Sequence, residues 1–393
     1  MAMAQNSFAA ILRSAARVAA REWRRLFGHR DSVLFALVLP CIIFLLFGVM
    51  YWRGVVYDIP LAICDQDHSE LSRLLTRSLE STRSLRIQAY VHSLDEIRDG
   101  FQNGEWQAAV VFPADMEAQV KEARPARVVI YRNQANIVTG NLVYKDVLTV
   151  VRTVSAGILL KKLRATGMTE ERALNVANPI RLDVRSLHNP HYNYAHYLLP
   201  GLLTAMLQMS LMMTAALAIS AELKDNSMSK LLAEANYNPW AVLFGKAAPY
   251  MAISAVHTVL LFFVLLPLVK MAAPVSWLPT LGFTFLFLLT CASLGMMISC
   301  LVHDQLTATE IAVFINTPAF LFSGYTFPIW GMPVLHSAIA RMMPFTYYLS
   351  GLMKVYLMNE SITSVWQEAL GLTAFLLVSG WVSVRSLANR MRG

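Results

Sequence analysis

Few of the side chains that could do chemistry in this chain stand in a pattern that would do it. The pair Gly245-Lys246 is followed by Ala247 and has no leading glycine. It therefore lacks the Ser or Thr and the turn with which a phosphate-binding loop cradles a nucleotide. There is no GxSxG elbow, no HExxH pair and no carboxylate pair within an apolar segment, so hydrolysis has no candidate machinery here. His188, His191 and His196 have a spacing that a metal could use on a helix, but at the edge of an apolar run they read first as interfacial polar side chains. The candidates for lining a pathway are Gln208, His257, Glu310 and Asn316, which interrupt apolar runs. Ionisable groups are costly in such surroundings and are functional candidates by default. Glu310 either snorkels to an interface or faces a path between helices, and His257 reads more simply as a satisfied bundle residue than as a ligand. Gln208 and Asn316 either line a path or hydrogen-bond across helices. Met206, Met209, Met212 and Met213 form a soft run that suits varied apolar cargo, although ordinary helix packing explains it equally.

The elements that must position these residues are membrane segments. Of 393 residues 56% are hydrophobic and 15% charged, where globular domains carry roughly a quarter charged. Mean hydropathy is +0.47. Apolar segments are read at about 32–52, 192–221, 241–269, 277–300, 306–326 and 364–386, and each approaches the ~20 residues that cross a ~30 Å hydrocarbon core. Tyr51, Trp52, Tyr192, Trp240, Trp277, Trp366 and Trp381 fall near their ends, where aromatic anchors belong. Six spans place both termini on one side. Arg13, Arg17, Arg21, Arg24, Arg25 and Arg30, with Arg385, Arg390 and Arg392 in the tail, make that side the cytoplasm. The net charge of +8 is thus a topological signal, and without a nucleic-acid module around it nucleic acid is excluded as a partner. The first segment is too long for a cleavable leader and is expected to remain as an anchor. Of four cysteines, Cys41, Cys291 and Cys300 lie in apolar segments, so Cys64 has no disulfide partner in 53–190.

Residues 7–28 place Ile11, Ala15, Val18, Ala19, Glu22 and Leu26 on one helical face with arginines opposite, the pattern of an interfacial helix with Trp23 and Phe27 at headgroup depth. Between the first and second spans, strands are read at 59–64, 86–91, 106–112 and 128–131. Helices are read at 69–81, 94–101, 115–122, 137–166 and 168–178, and such alternation argues for an α/β domain. The stretch at about 327–352 holds Pro328, Gly331, Pro333, Pro344 and Gly351, too broken for a span, and reads as a re-entrant pair of short helices. The expected fold is a polytopic α-helical membrane protein. It comprises an interfacial elbow helix (1–31), a first span (32–52), an extracytoplasmic α/β domain (53–190) and a five-helix bundle (191–393).

Residues 221–250 read AELKDNSMSKLLAEANYNPWAVLFGKAAPY. Glu222, Lys224, Asp225 and Lys230 leave the second span, Leu231 and Leu232 form an apolar knob, and Asn238-Pro239 starts the next helix. This resembles the cytoplasmic loop of type-2 ABC exporter permeases, where a charged exit and a Leu-Leu pair precede a Pro and then Gly-Lys. The family's glycine-threonine-glutamate is replaced by Ser227, Met228 and Ser229. SGYTFPIWGMP (323–333) and MMPFTYYLSGLMKVYL (342–357) are similar to the family's outer re-entrant region. IPLAICDQDHSELSR (59–73) and AAVVFPADME (108–117) are similar to the extracytoplasmic domain of its bacterial drug-export-like branch.

The resemblance implies a half-transporter of the bacterial inner membrane. It would pair with a second copy or a sibling permease and recruit two separate ABC ATPase subunits, which alone carry ATP and Mg. The loop would be the coupling element, with Glu222, Lys224, Asp225 and Lys230 as its polar surface and Leu231 and Leu232 as its buried anchor. The cargo would be hydrophobic or amphiphilic, drug-like or lipid-like, and the outer domain could dock a periplasmic adaptor protein. Two other classes compete. A membrane-anchored sensor and signal relay needs a cytoplasmic output domain, and none is read; an intramembrane enzyme needs paired catalytic groups, and none is found.

Overall fold

The computed structural model describes residues 2–28, 30–52, 54, 56–177, 189 and 193–391. The chain divides into two compact units, Met1–Gly54 with Ala195–Gly393, and Val55–Tyr194. Of the residues discussed above, His188, His191, Tyr192 and Arg392 lie outside the described residues, as does the last residue of the helix read at 168–178.

The first helix, α1 (Ala2–Gly28), is rich in alanine and arginine, both strong helix formers, and meets no Gly or Pro before its end. Its residues Ala15, Val18, Glu22 and Leu26 recur at three- and four-residue steps and are buried. A short α2 (Arg30–Val33) and α3 (Leu39–Met50) are joined by one π-helical turn, Leu34–Val38. The wide turn falls where Pro40, at the start of α3, has no amide to donate.

The second unit is an α/β sandwich. Along the chain it runs β1 (Ile59–Asp65), α4 (Glu70–Glu80), β2 (Leu85–Tyr90), α5 (Leu94–Asn103), β3 (Ala108–Phe112), α6 (Met116–Lys121), β4 (Val129–Arg132), α7 (Ile137–Ala165) and α8 (Glu170–Ala177). Sheet order is β2-β1-β3-β4; β1 is parallel to β2 and β3, and β4 is antiparallel to β3. Parallel neighbours need crossovers, which α4 and α5 supply. All five residues of β3 are buried because helices cover both faces of the sheet. On one face Leu61, Ile63, Val110 and Phe112 meet Leu71, Leu75 and Leu79 of α4 and Val143 and Val147 of α7. On the other, Cys64, Ala109 and Val111 meet Ile97 and Trp106. Ser69 caps α4 by accepting from the Ser72 amide. Gly100 is required on α5, since a Cβ there would stand 1.9 Å from the Trp106 ring.

The chain then returns to the first unit through α9 (Tyr194–Lys224), α10 (Met228–Glu234), α11 (Pro239–Val259), a π-helical turn Leu260–Leu265 and α12 (Leu266–Leu268). It ends with α13 (Trp277–Leu301), α14 (Gln305–Phe322), α15 (Val334–Arg341), α16 (Pro344–Leu352) and α17 (Trp366–Arg390). Helices stand at all six places read as apolar segments. Among the described residues, four stretches are long and apolar enough to cross a membrane: Tyr194–Lys224, Pro239–Leu268, Trp277–Leu301 and Ile362–Arg390. The apolar helix Leu34–Met50 is shorter, and the 18-residue α14 carries Glu310 and Asn316. The chain is thus a mostly helical polytopic membrane protein. Its helices pack through small residues: at Gly295 of α13 a Cβ would lie 2.6 Å from Ala215 of α9. The Phe287 and Tyr348 rings stack at 3.8 Å, joining α13 to α16. Between Phe322 and Leu352 the backbone makes two short helices and one tight turn, because Pro333 and Pro344 each restart it.

Candidate functional site

Three cations and three carboxylates meet where α1, the end of α9 and α11 converge. Lys246 of α11 donates to Glu22 of α1 at 2.5 Å and to Glu222 of α9 at 2.6 Å. Tyr250, one turn further along α11, donates to the other Glu22 oxygen at 2.6 Å. Arg21 and Arg25 reach Glu222 at 2.7 and 3.0 Å, Arg25 also binds Asp225 at 2.6 Å, and Ser227 donates to Glu222. Glu22, Glu222 and Lys246 are 1%, 0% and 0% exposed. Ions taken this far from water are costly unless matched, and here both oxygens of each buried glutamate accept, while the buried Nη1 of Arg21 makes no hydrogen bond and has only the Glu234 carboxylate 3.8 Å away.

Local sequence explains why these groups meet. Glu22 is the one carboxylate on the apolar stripe of α1, with Arg21 just before it and Arg25 one turn further along the same helix. α11 begins crisply because Asn238 accepts from the Trp240 and Ala241 amides and Pro239 occupies the first turn. Gly245 then lets α1 touch α11, since a Cβ there would stand 2.5 Å from Val18 Cβ and 2.7 Å from the Ala15 carbonyl. The Gly-Lys pair that lacks a phosphate loop therefore has a mechanical purpose. Gly245 permits the crossing, and Lys246 closes the charge network beside it.

The network holds the loop between α9 and α11 and decides what it presents. Glu222 is wholly inside, so it adds no polar surface. Leu231 and Leu232, expected to project as an anchor, are 0% and 8% exposed and belong to the unit's own core. The reason is packing: α10 lies against α1, and Asn236 just after it donates to Ser14 of α1 at 3.1 Å. Lys224, Asp225 and Lys230 do face outward, as do Ser229 and Tyr237. Asn226, Asn236 and Tyr237 have φ values of 51°, 53° and 52°. Asparagine tolerates that left-handed backbone, but a bulky tyrosine seldom adopts it, so the loop is held in a strained shape at Tyr237.

The pathway candidates separate into groups. Gln208 donates to Asn316 at 2.6 Å, tying α9 to α14, and Asn316 also donates to the Ala312 carbonyl at 2.7 Å. Both are buried. His257 lies elsewhere, its Nε2 3.2 Å from the Leu37 carbonyl in the π-helical turn before α3. Glu310 is exposed on α14 in line with Leu306, Phe314 and Leu321, and among the described residues it makes no ion pair. His196 Nε2 sits 3.0 Å from the Val269 carbonyl. A second charge pair, Lys354 with Glu368 at 2.7 Å, joins the segment after α16 to α17. Sequence reasoning passed over Arg21, Arg25 and Tyr250, although a lone Glu22 on an apolar stripe signals a missing partner.

A helical bundle with an inserted α/β unit and an ion-locked loop after the first helix long and apolar enough to cross a membrane defines a class of membrane protein. The model of the ABC-2 family transporter proteins matches residues 30–385, and the chain belongs to that family as a type-2 ABC permease. It is 23% identical over 354 residues to the probable multidrug ABC transporter permease YbhR of Escherichia coli K12, a match covering 88% of this chain and 90% of YbhR. It is 24% identical over 347 residues to the probable multidrug ABC transporter permease YbhS of the same strain, covering 86% of each chain.

Proposed function

We propose that this chain is the permease half of an ATP-driven exporter. Two permeases, as copies or siblings, and two ATPase subunits holding ATP and Mg form one machine in the bacterial inner membrane. In this arrangement six helices cross the bilayer, both termini are cytoplasmic, and the unit at 55–194 lies outside. Cargo of a hydrophobic or amphiphilic kind, drug-like or lipid-like, moves outward, a class that the names of the relatives support.

The observation that carries the reading is the ion-locked loop. Its outward face offers Lys224, Asp225, Lys230 and Tyr237 to a partner, while Glu222 ties it to α1 and α11 through Arg21, Arg25 and Lys246. Closure of an ATPase pair on that face would move the loop, α1 and α11 as one body, because breaking the buried ions apart is costly. The exposed Glu310 on α14 would face the second permease or the cargo path. The test is reconstitution of permease and ATPase in vesicles with a hydrophobic dye as cargo. ATP hydrolysis stimulated by the dye and ATP-dependent dye movement are expected, and both fall in Lys224→Glu with Lys230→Glu. Hydrolysis that ignores the permease altogether would sink the reading.

A further inference from the structure

The α/β unit carries an open groove between α4, α6 and the second half of α7. Leu71 and Leu75 of α4, Met116 of α6, and Val154 and Ile158 of α7 make its floor. Val151, Val154 and Ile158 follow one another at three- and four-residue steps and are only half-buried, so α7 runs past the helix it packs on and leaves an apolar cleft. The volume is about 540 Å³, within the ~300–1,000 Å³ of small-molecule sites. An adjoining hollow of about 1070 Å³ shares Leu71, Val154, Ile158 and Lys162 and is walled by Arg73, Arg77, Lys121 and Lys161.

The charge around this groove is lopsided. Five cations face two carboxylates, Glu70 and Glu117. Lys121 is paired with Glu117 at 3.1 Å, and Lys162 donates to the Val120 carbonyl at 2.6 Å at the edge of the floor. Among the described residues Arg73 and Arg77 hydrogen-bond only backbone carbonyls, and neither they nor Lys161 form an ion pair. An apolar trough beside uncompensated cations matches one kind of ligand. We propose that the groove binds a single-chain acidic amphiphile of the fatty-acid type, with its chain on Leu71, Leu75, Val154 and Ile158 and its acidic head at Arg73, Arg77 and Lys161. The floor supplies most of the affinity, because it removes apolar surface from water. The exposed cations supply the preference for an acid, and salt weakens it.

The test uses the full-length permease in nanodiscs with a diazirine fatty acid and the matching fatty alcohol as photoprobes. Labelling is read by mass spectrometry on peptides covering 116–128 and 151–162. The acid should label these peptides several-fold more than the alcohol at low salt, with the preference shrinking at high salt as the charges are screened. Ser155→Trp and, separately, Leu159→Glu, both at exposed positions of the wall, should cut that labelling about tenfold, as expected for blocking a cleft of this size. Arg73→Gln with Lys161→Gln should bring the acid down to the alcohol. Equal labelling by acid and alcohol in the native protein, or unchanged labelling in both wall variants, would overturn the proposal. The readout is binding and needs neither ATPase nor transport, so it succeeds or fails apart from the exporter reading.

Discussion

Lys246 is the residue on which the site turns, because it alone among the described residues bridges the buried carboxylates of α1 and α9. Lys246→Met should leave Glu22 and Glu222 facing each other in a dry site and cost about 3–5 kcal/mol, seen as a lower thermal unfolding midpoint in detergent. Adding Glu22→Gln should recover part of the loss, since Glu222 keeps Arg21 and Arg25; additive losses in the double variant would mean that the two side chains are not coupled. In the α/β unit, burial, with Glu96 and Asp65 adding to it, pushes the Cys64 thiol up. The thiolate is the reactive form, so at neutral pH Cys64 should react with a maleimide far more slowly than a cysteine placed at the exposed Gln102. Equal rates would show that the strand is not shielded. At this scale the sequence was partly legible. The lone Glu22 among Ala15, Val18 and Leu26 was a visible signal, but its partners lie more than two hundred residues away and no local pattern pairs them.

At the scale of elements, the periodicity of α4, the apolar runs of β1 and β3 and the prolines at the starts of α15 and α16 could be read directly, because local packing and backbone sterics dictate them. The face turned by α10 could not. Leu231 and Leu232 look like an anchor for a partner until α1 is seen to cover them. Leu231→Asp with Leu232→Asp should therefore bury charge inside the permease itself and lower its folded yield even when no ATPase is present. A normal yield with loss of ATPase alone would return the pair to the role of external anchor. Gly245 gives a second element-scale test. Gly245→Val would push α1 off α11 against Val18, for an overpacking cost of about 1–3 kcal/mol read by thermal unfolding. An unchanged midpoint would show that the crossing is not tight.

For the whole molecule, topology and coupling stand together. Gln102 is exposed in the α/β unit and Ser229 on the loop after α9. A cysteine at Gln102 should be labelled by an impermeant reagent added to intact cells, whereas one at Ser229 should be labelled only after the membrane is opened; the reverse pattern would invert the orientation. The expected arrangement rests on positive charge beside the first apolar helix and on aromatic residues near helix ends, since the bilayer imposes both. What the bilayer does not impose, the ion pairs that tie the loop to α1 and α11, shows only in three dimensions. The most direct measurement is site-specific photocrosslinking from the loop in cells that also make the ATPase. A photoreactive residue at Lys230 or Tyr237, both outward-facing, is predicted to give an adduct of permease and ATPase whose yield changes with ATP, while one at Gln102 gives none. An intact complex with no adduct from Lys224, Lys230 or Tyr237 would contradict the account.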